Sequence, residues 1–291
     1  GRVGLVVAAV AASAIGGMSV ASAATYSVLS TVTAGTDPYA AAVDPTTNTV
    51  YVTNPSGNNV TVIDGATNTV ITTVPVGANP EEVAVDPSSQ IVYVSNANDN
   101  TVSVIDEATN TVTATVPVGD SPFGIAVNPT TNTVYVANAN DATVSVIDGA
   151  TNTVKATVSV GASPGGIAVN STTNTLYAAN TSDGTVSVID GTTNAVTTTI
   201  SVPGAPAAVA VNPATNTVYV NNYAGAGTVV VINGATNTVT TAIPANGSVW
   251  GLAMPCLQAS APTCICPAYD TRRHRLLCSE PPHYPISLRK P

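Results

Sequence analysis

Between Thr25 and Met254 the chain has no cysteine and no histidine, one basic residue (Lys155) and one phenylalanine (Phe123). Without cysteine there is no disulfide and no thiolate nucleophile in this stretch. Without histidine it lacks the commonest general base. Fourteen acids against that single lysine give it a net charge of −13. Such a surface repels nucleic acid, whose binding needs Lys and Arg against phosphate, and offers anionic lipid no polybasic attraction. No serine sits in a nucleophile-elbow motif. These absences point to a non-enzymatic protein without a cofactor, and polarity is left to Thr, Asn and Ser.

What is present is a unit of 42 residues written five times. Tyr51, Tyr93, Tyr135, Tyr177 and Tyr219 keep this step, as do Pro38, Pro80, Pro122, Pro164 and Pro206. Asp64, Asp106, Asp148 and Asp190 do the same, and Asn233 follows after a one-residue insertion near Ala224–Gly227. Each unit holds four strand-like runs, for instance Gly124–Val127, Thr133–Ala137, Thr143–Ile147 and Thr153–Val160. They are rich in Val, Ile, Thr and Tyr and mostly alternate apolar with small polar residues, as half-buried strands do. Turn chemistry separates them: Asn-Pro or Asp-Pro after the first run, and Asp-Gly after the third. Asp106-Glu107 lacks that glycine, so its turn is expected to differ or to be strained. Four short antiparallel strands per unit, at this period, specify the blades of a β-propeller. The expected fold is all-β: five full repeats, about Gly35 to Ala245, and a partial sixth starting at Val249–Met254, hence an incomplete ring. Tyr26–Thr33 stands in the place of a fourth strand.

The two ends differ from the repeats. An apolar run, Gly4–Ile15, follows Arg2 and is succeeded by the small residues Ala21-Ser22-Ala23, the pattern of a secretory signal peptide over residues 1–23. The mature chain is then expected to start at Ala24, outside the cell or on its surface, with no membrane insertion after cleavage. Residues 24–254 form the repeat body. Residues 255–291 carry all four cysteines, both histidines and five of the seven Lys and Arg. Their spacing lacks a C-x2-C pair, so a zinc site is disfavoured, and a disordered tail is expected.

Tyr51-Val-Thr-Asn54, followed by Val62-Ile-Asp-Gly-Ala-Thr-Asn-Thr-Val70, resembles the YVTN β-propeller repeat family, with variants recurring along Thr25–Met254. The resemblance implies a propeller, usually of seven blades, in exported and cell-surface proteins, including surface-layer proteins. It implies no single activity. The chain departs from the family in having fewer units and an unrelated tail.

Most repeated residues read as scaffold, the tyrosines as core between blades and the Asp/Asn turns as Asx-turns rather than calcium loops. Positions that vary between units are more informative. After the repeated proline come Tyr39, Glu81, Phe123, Gly165 and Ala207, with Trp250 in the sixth unit. The chain's only Phe and only Trp fall at this one place. It lies between an outer strand and the next inner strand, so it should ring one mouth of the central channel, with Glu82 and Asp120 nearby. Tyr39, Glu81, Glu82, Asp120, Phe123 and Trp250 are therefore the candidate binding residues, for an envelope protein or a glycan. Glu81 and Glu82, adjacent on a strand, should face opposite ways. The alternative is a lactonase-like propeller enzyme using mouth carboxylates and a divalent metal.

Overall fold

The computed structural model describes residues 5–7, 30–222, 227–244, 269–270 and 275–276. The start of the sixth unit, Trp250 and most of the tail lie outside these residues. Five four-stranded antiparallel sheets follow one another along the chain. Blade 1 consists of Ala41–Asp44, Thr49–Asn54, Asn59–Asp64 and Thr69–Pro75. Blade 2 consists of Pro80–Asp86, Ile91–Asn96, Thr101–Asp106 and Thr111–Pro117. Blade 3 runs through Pro122–Asn128, Thr133–Asn138, Thr143–Asp148 and Thr153–Ser159. Blade 4 is Pro164–Asn170, Thr175–Asn180, Thr185–Asp190 and Ala195–Ser201; blade 5 is Pro206–Asn212, Thr217–Asn222, Thr228–Asn233 and Thr238–Pro244. Every blade is a meander in which each strand pairs with its sequence neighbour. First strands of successive blades touch, from blade 1 through to blade 5, so they form the inner lining.

The core lies between blades and not within them. Tyr51 of blade 1 packs with Val83, Val92, Val94 and Ile105 of blade 2. Tyr93 enters blade 3, Tyr135 blade 4 and Tyr177 blade 5 in the same way. Each of these four is at most 1% exposed. Tyr219 of blade 5 is only half-buried; among the described residues no following blade covers it. Val32 and Ala34 pack on Val50, Val52 and Ile63 of blade 1, as Val74 and Val76 pack on blade 2. The run before the first unit thus does take an outer-strand position, with Ser30–Val32 as its described strand. That strand pairs antiparallel with Leu5–Val7.

The turn after the third strand corrects the sequence expectation. Its left-handed residue is an asparagine, Asn68, Asn110, Asn152, Asn194 or Asn237, and not the glycine. Asn110 N–H donates to Asp106 O at 2.8 Å, as Asn68 N–H does to Asp64 O at 2.8 Å. The turn at Glu107 therefore has the same backbone as the others. Glycine is used elsewhere for space: a Cβ on Gly65, Gly149 or Gly191 would lie 2.7, 2.1 or 2.5 Å from Oδ1 of Asn48, Asn132 or Asn174. In blade 2 Gln90 occupies that asparagine's place and is exposed, leaving room for Glu107. The Asx-turn reading holds: Asp44 Oδ1 accepts Thr46 N–H at 2.6 Å and Asp64 Oδ1 accepts Ala66 N–H at 2.7 Å.

Candidate binding site at the mouth of the blades

The connections into the first strands of blades 1 to 4 carry a left-handed residue, Asp37, Asn79, Ser121 or Ser163, one step before the repeated proline, and blade 5 has Gly204 two steps before Pro206. The chain turns there and presents the residue after the proline at the inner end of the blade. Three of these residues meet. The rings of Tyr39 (blade 1) and Phe123 (blade 3) lie edge to face, with centroids 6.1 Å apart and planes at 80°. They reach each other past Glu81 and Glu82 of blade 2. The Tyr39 phenol is shifted well upward by burial and by the charges of Glu81 and Glu82. Tyr39 is nevertheless 53% exposed, so the aromatic pair faces outward from the mouth.

Glu81 and Glu82 do not alternate as a regular strand would make them. Pro80 pairs with Asn96 but Val83 pairs with Val94, a β-bulge that gives this strand one extra residue. The bulge interrupts the regular alternation at these two residues. Glu82 stands where blades 3 and 4 have Gly124 and Gly166. A Cβ at those glycines would lie 2.3 and 2.6 Å from the backbone oxygen of the next blade. A side chain at this place is wedged against its neighbour, and burial, then the Glu81 charge, pushes the Glu82 carboxyl up to about 7. Glu81 is also raised, by burial first and by Asp37, although Asn79 Nδ2 donates to its Oε1 at 2.7 Å.

Asp120 does not join this group. It is exposed, and its backbone N–H donates to Asp141 Oδ2 at 2.6 Å. Among the described residues no hydrogen bond ties its carboxylate to Tyr39, Glu81 or Glu82. Trp250 lies outside the described residues. A separate cleft of 480 Å³ between blades 3 and 4 is lined mainly by Ser159, Gly161, Asp183, Thr185, Ser187 and Thr199. It shares no residue with the aromatic pair and carries one carboxylate. Among the described residues no three His, Cys, Asp or Glu side chains are grouped to hold a metal ion.

Two residues that the sequence did not single out hold the mouth. Thr53 Oγ1 donates across the blade boundary to Glu81 O at 2.7 Å, and Ser95 Oγ donates to Phe123 O at 2.6 Å. Ser95 Oγ also accepts Glu82 N–H at 3.1 Å. The equivalent residues of blades 3 and 4 are Ala137 and Ala179, and these face blades whose mouth residues are Gly165 and Ala207. At this position hydroxyls occur where the next blade carries Glu81 or Phe123; the seam of blades 4 and 5 uses Thr181 Oγ1 instead, which donates to Pro206 O at 2.7 Å. Comparing units position by position contains this signal, but only once the facing blade is known.

The five sheets, their meander order and the inter-blade core are those of one architecture. The fold is a β-propeller. A family model described as a YNCE-like beta-propeller matches residues 83–167, from the first strand of blade 2 to the first strand of blade 4. Among solved structures, the chain is similar to Kuenenia stuttgartiensis hydrazine synthase. The two share 24% identity over 75% of this chain and 71% of that one, with a TM-score of 0.68. At that identity the likeness concerns the fold. No curated protein matches the chain. In total 1534 solved chains match, so the propeller alone selects no activity, and function has to be argued from the mouth.

Proposed function

We propose that this propeller is a secreted or cell-surface, non-enzymatic binding protein whose contact surface is the mouth built by Tyr39, Phe123, Glu81 and Glu82. One observation carries the reading: an edge-to-face pair of the exposed Tyr39 and the half-buried Phe123, contributed by blades 1 and 3, with Glu81 and Glu82 on the blade between them. Aromatic side chains are typical anchors of interfaces. The mouth residues change from unit to unit while the scaffold under them stays constant, which suits recognition. The region has no basic residue to pair with its acids, so a partner presenting positive or hydrogen-bond-donating groups fits best. Export rests on the apolar run Gly4–Ile15 and the small residues Ala21-Ser22-Ala23. An envelope protein or a cell-wall glycan is the partner class for such a location.

The test is a binding screen of the full chain against envelope proteins and cell-wall glycans, repeated with Tyr39→Ala/Phe123→Ala. A partner retained by wild type and lost by the double variant supports the mouth. A partner bound equally by both places the contact elsewhere. The enzymatic reading draws on Glu82, whose carboxyl near 7 suits proton transfer at neutral pH. A stoichiometric divalent ion at the mouth in an equilibrium metal-binding assay would favour it.

A further inference from the structure

The seams between blades are fastened away from the mouth as well, and the two seams that blade 2 makes are chemically different: the equivalents toward blade 3 are Asp86 and Asn132, and toward blade 1 two acids meet. Between blades 3 and 4, Asn128 Nδ2 donates to Asn174 Oδ1 at 2.7 Å; between blades 4 and 5, Asn170 Nδ2 donates to Asn216 Oδ1 at 2.7 Å. The equivalents at the seam of blades 1 and 2 are Asp44 and Gln90. Gln90 is exposed, and Glu107 enters the seam in its stead. Asp44 is fully buried and Glu107 is 9% exposed. Asp44 Oδ2 and both carboxyl oxygens of Glu107 find no donor, yet the two carboxyl groups lie within hydrogen-bonding reach of each other. An amide bridge has been replaced by two facing acids, and a bond between them requires a proton.

We propose that Asp44 and Glu107 form a proton-sharing clasp between blades 1 and 2, closed while Glu107 is protonated and released when it ionises. The proton belongs to Glu107. Burial favours a raised Asp44, but the side chain and backbone N–H of Thr46 and the Glu107 hydrogen bond outweigh it, so Asp44 ionises readily. Burial, the Asp44 hydrogen bond and the charges of Asp44, Asp106 and Asp86 raise the Glu107 carboxyl to about 8. These acids and the buried Tyr51 phenol are the titratable groups facing the pair, and none is a cation. Because Glu107 holds its proton more tightly folded than unfolded, its contribution is complete below the usual glutamate range and is lost as pH rises toward 8. The same seam is tied at its other end by Thr53 and Glu81 O. Loss of the clasp therefore loosens the two blades that carry Tyr39, Glu81 and Glu82.

The test is thermal unfolding of the full chain from pH 5 to pH 9, with Glu82→Gln as the reference protein so that Glu82 contributes no slope. The reference should lose about 5 °C or more in Tm across this range. Adding Glu107→Gln supplies a permanent donor to Asp44, and should flatten the profile and raise Tm at pH 9 above the reference. Asp44→Asn with Gln90→Asn and Glu107→Gly rebuilds the amide seam and should flatten it too. Hydrogen exchange should localise the alkaline loss of protection to Ala41–Asp44 and Pro80–Asp86. A flat reference profile, or equal slopes with and without Glu107, overturns the proposal. So does a rescue of the reference at pH 9 by calcium that Glu107→Gln abolishes, which would make the pair a cation site.

Discussion

Ser95→Ala tests whether a buried hydroxyl positions the mouth. Ser95 is fully buried and its oxygen serves two neighbours: it donates to Phe123 O at 2.6 Å and accepts Glu82 N–H at 3.1 Å. Removing it leaves a carbonyl and an amide without that partner. An unsatisfied buried polar group costs about 1–3 kcal/mol. Two facts bring the figure toward the lower part of that range. Alanine already stands at the equivalent Ala137 and Ala179, so the substitution creates no steric problem. The groups released lie beside the half-buried Glu82 and Phe123, where water reaches. The expected loss is about 1–2 kcal/mol, or roughly 3–6 °C in Tm for a body of this size. Urea unfolding followed by circular dichroism measures it. Because Phe123 O is the anchored atom, partner affinity should fall with Ser95→Ala, and much less so when Phe123 is already alanine. A stability change within about 0.5 kcal/mol, the range of silent surface changes, would refute the reasoning. So would an affinity loss that is independent of Phe123.

Replacing Phe123 and Trp250 together by Ala should weaken partner binding by about 2 kcal/mol or more while leaving the circular dichroism spectrum unchanged. Tyr177→Phe removes a buried hydroxyl that has no partner, so its unfolding midpoint should match or exceed wild type. Tyr135→Ala should cost about 3–5 kcal/mol by opening the seam of blades 3 and 4, and Tyr219→Ala clearly less, since Tyr219 is only half-buried. Binding of a basic partner at the mouth should strengthen as pH rises through about 7, when Glu82 ionises, and Glu82→Gln should remove that dependence in a titration series. N-terminal sequencing of exported protein should begin at Ala24.

The fold was legible because the repeat is a statement about packing. A tyrosine every 42 residues marks the largest side chain that blades 1 to 4 bury against the next, and the strand alternation around it sets which face is buried. The turn at Glu107 was misread because glycine suggests a special φ, whereas here the left-handed residue is Asn110 and the glycines of the other blades give space to an asparagine. Sequence identity at one position cannot distinguish these two uses. The mouth was half legible. The variable residue after each proline picked out Tyr39, Glu81 and Phe123, but not the bulge at Glu81 and Glu82, because a bulge depends on the count of residues opposite Asn96 and Val94. Asp120, close in sequence, takes no part because its side chain belongs to an exposed loop.

The departures from the repeat carry the information that its regularity cannot. Thr53 and Ser95 differ from Ala137 and Ala179, and Gln90 and Glu107 differ together from the asparagine and glycine of the other blades. Each change is unremarkable alone. In a propeller every position faces a fixed position of the next unit, so paired departures report a local contact. Blade 2 holds Glu81, Glu82, Gln90, Ser95 and Glu107, and no other described blade departs from the pattern with as many charged side chains. Four of these five bear on the seam or the mouth it shares with blade 1 or blade 3. A scaffold under pressure only to pack would have kept Gly at 107 and a small residue at 82, as blades 3 and 4 do. Blade 2 instead accepts a buried carboxyl at Glu107 and a half-buried one at Glu82 without a counter-ion, a cost that burial alone would not favour. Glu107 lies at the seam with blade 1, whereas Glu82 stands at the place that abuts blade 3, so blade 2 carries an acid without a counter-ion at both of its seams.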